Sequence, residues 1–109
     1  MPWLLLDETV LASLDVADTA RRRTRGLLGR DGIDGALLLT PARAVHTVGM
    51  RFPVDVAYCD RDLVVVRTCR MAPNRLGRPC LKAHSVLEAE AGAFAQWGVA
   101  PGVRLEVRA

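Results

Sequence analysis

Residues 53–68, PVDVAYCDRDLVVVRT, decide the fold class. After Pro53, the apolar Val54, Val56 and Tyr58 alternate with Asp55, Ala57 and Cys59, which is the period of two that a β-strand imposes on its two faces. On a helix the same three apolar residues would scatter around the axis. Pro53 suits the first position of a strand, where a missing N–H breaks no ladder. Asp60-Arg61-Asp62 then offers a polar turn, and residues 63–68 are rich in β-branched side chains, so the two runs are expected to pair as an antiparallel hairpin.

The flanking sequence continues in the same manner. Residues 36–39, closed by Pro41, form a short apolar strand candidate. At the start of the chain, residues 3–6 predict a strand and residues 7–9 a turn. Val10, Ala12, Leu14 and Val16 then alternate with Leu11, Ser13 and Asp15, giving an opening hairpin. Asp18 is the expected N-cap of an amphipathic helix running to about Gly29, with Ala20, Thr24, Leu27 and Leu28 sharing a face with Ala17, and Arg21, Arg22, Arg23 and Arg25 over the remainder. Gly26 within it costs about 1 kcal/mol relative to alanine, which points to close backbone packing or an early helix end. Turn signals follow at Asp31-Gly32 and Asp34-Gly35.

Beyond the hairpin, residues 71–81 contain Pro73, Asn74, Gly77 and Pro79 and predict a long loop. A strand is expected over residues 84–89, then a short helix over 91–97 that buries Phe94 and Trp97 and stops at Gly98. Pro101-Gly102 has the order of a type II turn, and Val103, Leu105 and Val107 alternate with Arg104, Glu106 and Arg108 as a last strand. About seven strands and two short helices leave little room for parallel βαβ units. The expected class is α+β, mainly β, an antiparallel sandwich or partly open barrel.

At 109 residues and 50% hydrophobic content, the chain is expected to bury a single core, with residues 1–109 as one domain. No apolar run approaches the roughly 18–20 residues that cross a bilayer, and the start lacks the pattern of a secretory signal, so the expected location is cytoplasmic, without a membrane role. Cys59, Cys69 and Cys80 are an odd set with no Cys-x-x-Cys pair, favouring buried thiols over a disulfide framework or a metal site. The formal charge of +3 rests on arginine, since Lys82 is the only lysine.

Several phrases together resemble the family known as domain of unknown function 192. They are Thr24-Arg25-Gly26-Leu27-Leu28-Gly29-Arg30, residues 46–56 (HTVGMRFPVDV), Val86-Leu87-Glu88 with Gly92, and Gly98 with Gly102. The central phrase is the most specific, a proline, an aliphatic residue and an aspartate leading into an alternating strand and an acidic turn. The chain departs from the pattern at His46-Thr47, where many members carry Trp-Met, and at Val103, where an acid commonly stands. The resemblance implies a mainly β fold in a family of small bacterial and archaeal proteins whose biochemical role is not established.

Within those phrases His46, Asp55 and Glu88 are polar residues set among apolar neighbours. Converging, they could act as general acid and base in a small hydrolase or lyase. Apart, Asp55 and Glu88 would satisfy buried backbone donors and His46 would sit hydrogen-bonded at a sheet edge. Cys80 and His84 are spaced so that an imidazole could assist a thiol, a pairing common by chance. From Val64 to Leu87 there is no acidic residue, while Arg67, Arg70, Arg75, Arg78 and Lys82 are all present, a strip suited to an anionic ligand or an acidic protein surface. Nucleic acid is disfavoured because no aromatic residue lies between Tyr58 and Phe94 to stack a base. Phosphate-binding Gly-x-Gly-x-x-Gly and Gly-x-Ser-x-Gly elbow patterns are both missing. The leading expectation is a noncatalytic binding or accessory domain without metal or cofactor. Its contact surface is expected at His46, Thr47, Met50, Asp55, Arg70, Arg75, Arg78 and Lys82.

Overall fold

The computed structural model describes residues 2–109. In chain order the elements are β1 (Trp3–Leu6), β2 (Thr9–Ala17), α1 (Ala20–Arg25), β3 (Ala36–Leu39), β4 (Val54–Cys59), β5 (Val65–Met71), β6 (Ser85–Glu90), α2 (Ala93–Trp97) and β7 (Glu106–Arg108). The class is mainly β, as the alternation predicts. The central hairpin forms with Val54 opposite Met71 and Cys59 opposite Val65. Its turn is held by Asp60, whose Oδ1 accepts the N–H groups of Asp62 and Val64 at 2.9 and 3.0 Å. The opening hairpin turns on Asp7 and Glu8, both at positive φ, the two-residue geometry that matches strand twist.

All seven strands join one sheet in the order β5-β4-β6-β3-β2-β1-β7. Every pairing is antiparallel except β2 with β3, which is parallel. The residues between them are too many for a hairpin and carry α1, so the chain crosses back and re-enters in the same direction. That one crossover is what the strand count alone did not reveal. The sheet curls until its two edges meet at one end. There Val64 bridges Arg104, Val65 N–H donates to Val103 at 2.8 Å and Leu105 N–H donates to Leu63 at 2.9 Å. The ladder goes no further, so the barrel stays partly open.

Two apolar layers lie on opposite faces of this sheet. Leu4, Leu14, Leu38, Ala57, Val65, Leu87 and Leu105 fill the inner side, with Phe94 of α2 among them. On the other face Leu37, Leu39, Val54, Val56, Tyr58 and Val86 are covered by Leu27, Ile33, Met50, Phe52 and Cys80 from the connecting segments. β3 and β4 are therefore buried along their whole length rather than on alternate residues.

Two boundaries differ from the predicted ones in a way that shapes the site. The N-cap of α1 is Thr19, not Asp18, because its hydroxyl reaches the Arg22 N–H at 3.2 Å. The helix stops at Arg25 rather than near Gly29, since Gly26 takes φ 47° and ψ −123°, a conformation open to glycine and strained for other residues. At the C-terminal end, β7 keeps only Glu106–Arg108 of the predicted strand, the earlier residues being spent on the edge contact with residues 63–65.

Candidate functional site

Strand alternation puts Val86 and Glu88 of β6 on one face and Leu87 and Ala89 on the other. Glu88 thus points into an apolar layer, flanked across the ladders by Leu37 of β3 and Val56 of β4. It is 2% exposed. Its side chain closes a cavity of about 270 Å³ between the end of α1 and the segment after β3. Arg23, Gly26 and Leu28 form one wall, Ala42 and Val45 another, with Met50 beneath and His46 among the lining residues.

Two buried side-chain polar atoms among the described residues have no hydrogen-bond partner: Tyr58 Oη and Glu88 Oε2. Tyr58 packs beneath the Arg67 guanidinium, 4.4 Å from its ring centroid, and lines none of the described cavities. Glu88 is different, because its orphan oxygen belongs to a residue that lines open space. Burial pushes its carboxyl up to about 7, since the charged form loses water and gains no partner. Such a group can hold or release a proton near neutrality, or accept a hydrogen bond from whatever enters.

The sequence-predicted residues separate into three groups. Glu88, His46 and Met50 line the same cavity. His46 is exposed, with Nδ1 accepting from the Val48 N–H at 3.3 Å. Asp55 faces the other way. It pairs with Ala89 while its neighbour Val56 pairs with Glu88, so the two acids project from opposite faces of the sheet. Its Oδ2 accepts the Gly92 and Phe94 N–H groups at 2.9 and 3.2 Å, and Oδ1 accepts Arg70 Nε at 3.1 Å. That is the capping of α2 by a carboxylate from a neighbouring strand.

The third group belongs to the loop after β5. Thr47, fully buried, donates to the Ala72 carbonyl at 2.7 Å and accepts the Arg75 N–H at 2.9 Å. Gly77 and Cys80 add backbone bonds to Val45 and Arg43, both at 2.8 Å, so residues 43–49 and 72–80 are zipped together. Arg75, Arg78 and Lys82 are exposed on this ribbon. Thr47→Val is expected to lower unfolding stability by about 2 kcal/mol, because it leaves the Ala72 carbonyl and Arg75 N–H without partners. Chemical denaturation measures this, and an unchanged midpoint would show that the hydroxyl does not hold the loop.

Arg23, Arg25, Gly26 and Leu28 line the cavity, residues that the sequence had placed in the first helix and, from Arg25 to Leu28, in the family phrase. The signal available was Gly26, whose cost inside a helix asked for a reason. Among the described residues, no group of three His, Cys, Asp or Glu comes together as metal ligands would. Cys59 and Cys80 are buried and Cys69 is exposed, all free.

No curated protein matches the chain. Two crystal structures share the fold. One is a protein of unknown function from Novosphingobium aromaticivorans DSM 12444, with a TM-score of 0.81 and 18% identity over 96% of this chain and 82% of that one. The other, from Sinorhizobium meliloti 1021, is provisionally named a transcription regulator, with a TM-score of 0.81 and 21% identity over 97% of this chain and 91% of that one. Neither name states a catalysed reaction. The match to a family model over residues 5–107 takes in the Glu88 cavity and all but Leu4 of the two apolar layers, and by it the chain belongs to the domain of unknown function 192 family, described as an uncharacterized ACR.

Proposed function

We propose that the domain is a noncatalytic binding module whose cavity takes a small ligand that presents a hydrogen-bond donor, a hydroxyl or an ammonium, to Glu88. The observation that carries this reading is the Glu88 Oε2 atom, buried, without a partner and lining a cavity of about 270 Å³. Buried polar atoms are nearly always satisfied, and one that is not, beside open space, is a place for a partner. The volume suits a small metabolite-sized molecule. Leu27, Leu28, Leu39 and Met50 supply the apolar wall that such pockets use for affinity, leaving Glu88 to fix orientation.

A second reading is favoured by one observation: His46 and Glu88 line the same cavity, and a carboxyl near neutrality suits proton transfer. As a hydrolase or lyase the site would use these two as acid and base. Binding stands ahead because Asp55, the residue that could have oriented the imidazole, is committed to α2 on the opposite face. Among the described residues, no helix is long and apolar enough to cross a membrane.

Ethylammonium and ethanol, titrated separately into isotopically labelled protein, test the binding reading. At least one is expected to shift the amide signals of Gly26, Leu27 and Met50 saturably at millimolar concentration, with the effect lost in Glu88→Ala. No saturable shift at those amides with either probe sinks the proposal.

A further inference from the structure

The Glu88 cavity does not end at α1. On the far side of Gly26 lies a second hollow, of about 300 Å³, lined by Arg22, Arg25, Arg30, Asp15 and Leu37. Arg25 and Gly26 line both spaces. Leu37 is also the direct cross-strand partner of Glu88. Opposed residues of an antiparallel pair point to the same face, with their Cβ atoms about 4.5–5.5 Å apart. The two hollows are therefore neighbours on one sheet face, and glycine stands where they meet. A Cβ built on Gly26 would come to 3.9 Å from Glu88 Oε1, at that junction.

Their polar groups differ. The first holds the one acid of its lining, Glu88 with its unpartnered Oε2, beside Arg23 and Arg25. The second carries three guanidinium groups against a single carboxylate: Asp15 takes Arg22 at 2.7 Å and Arg30 at 3.8 Å, while Arg25 makes no ion pair among the described residues. Arginine offers several donors in a fixed fork, so one shared aspartate leaves most of them available. Such a set matches a phosphate or carboxylate, which takes paired donors.

Resting on the reading of Glu88 as a ligand anchor, we infer that the natural ligand is bipolar: a hydroxyl or ammonium end is held by Glu88, and an anionic end passes over Gly26 to Arg22, Arg25 and Arg30. The two ends are recognised together. Linking them makes the second contact intramolecular, so a molecule of the right length gains affinity that neither half has alone. A molecule too short to pass Gly26 gains nothing.

The probes are a short series of ω-aminoalkyl phosphates, with the alkylammonium of matching length and inorganic phosphate as the two halves. Binding is followed by calorimetry and by amide shifts. At least one aminoalkyl phosphate is expected to bind about tenfold or more tightly than its alkylammonium and than inorganic phosphate, with an optimum chain length. In Arg30→Ala the ratio of aminoalkyl phosphate to alkylammonium affinity is expected to collapse toward one. In Glu88→Gln the dependence on chain length is expected to vanish, leaving phosphate-like affinity throughout. Amide spectra of both variants report whether the sheet is intact. If an alkylammonium binds at the Glu88 cavity but no aminoalkyl phosphate exceeds it, or the excess survives Arg30→Ala, the bipolar ligand is refuted while the anchor role stands. If neither alkylammonium nor aminoalkyl phosphate shifts the Gly26 and Met50 amides, the bipolar ligand is refuted, and if ethanol also leaves them unmoved the anchor role falls with it.

Discussion

Glu88→Gln is expected to stabilise the protein by roughly 3 kcal/mol at pH 8 and by little at pH 4.5. The physical cause is the gap between the folded and unfolded proton affinities. Burial pushes the carboxyl from an ordinary 4.5 up to about 7, so the folded state holds a proton that the unfolded chain has already released. Each pH unit of such a gap is worth about 1.36 kcal/mol. The sign follows directly. Below about pH 4.5 both states are protonated and burial of a neutral carboxyl costs little; as pH rises through the window to about 7, stability is lost, and above it the loss is complete. Arg23 and Arg25 of α1 line the same cavity with His46, and cations favour the charged form, yet burial dominates. Glutamine keeps the shape and never ionises. Urea unfolding of both proteins across pH 4.5 to 8 isolates the effect, because every other titrating group is common to the pair. Parallel stability curves would mean that Glu88 is solvated or partnered in solution, and the cavity would lose its anchor.

Local pattern located the strands because each depends mainly on its own alternation. Ala36–Leu39 and Val54–Cys59 begin and end where expected, and Gly98 ends α2 in the left-handed conformation. The parallel pairing of β2 with β3 was hidden because a connection containing a helix is as compatible with one sheet position as with another until the partners are known. The candidate site depends on the same level of information. Asp55 and Glu88 look equivalent in sequence, each an acid within an apolar strand. Their difference lies in register: Glu88 stands opposite Val56, one residue beyond Asp55, and that single step sends the two carboxylates to opposite faces. The basic loop is a related case. Its arginines are exposed as charge suggests, but its backbone is spent on Thr47, Val45 and Arg43, bonds that no local pattern announces. Gly26 was legible in part, since a glycine in a helical stretch signals a helix end; that the end borders two hollows depends on β3 and β6 beneath it.

Asp55→Ala is expected to destabilise the protein by about 3–5 kcal/mol, while Arg70→Ala costs under about 1 kcal/mol, although both break the same ion pair. The asymmetry comes from where the two partners sit. Arg70 is 61% exposed at the side chain, so its charge remains hydrated when the aspartate is gone. The Asp55 carboxylate is 8% exposed, and its other oxygen is the acceptor for the Gly92 and Phe94 N–H groups. Those two donors begin α2, where no carbonyl of the preceding turn can reach them. Without the carboxylate the Phe94 N–H is left buried and unsatisfied, and Phe94 itself belongs to the inner apolar layer with Leu4, Leu14 and Leu87. Loosening α2 therefore exposes part of that inner layer as well as losing two charge-assisted bonds. Asp55→Asn keeps an oxygen for the two N–H groups but turns an amide toward Arg70, so it should fall between the two alanine variants. Urea unfolding of the three proteins measures the order, and hydrogen exchange at Phe94 locates it: exchange should accelerate in Asp55→Ala and hold near the parent rate in Arg70→Ala. Equal losses in the two alanine variants would instead make the ion pair the stabilising element, and would return Asp55 to the set of charged groups free to serve a ligand.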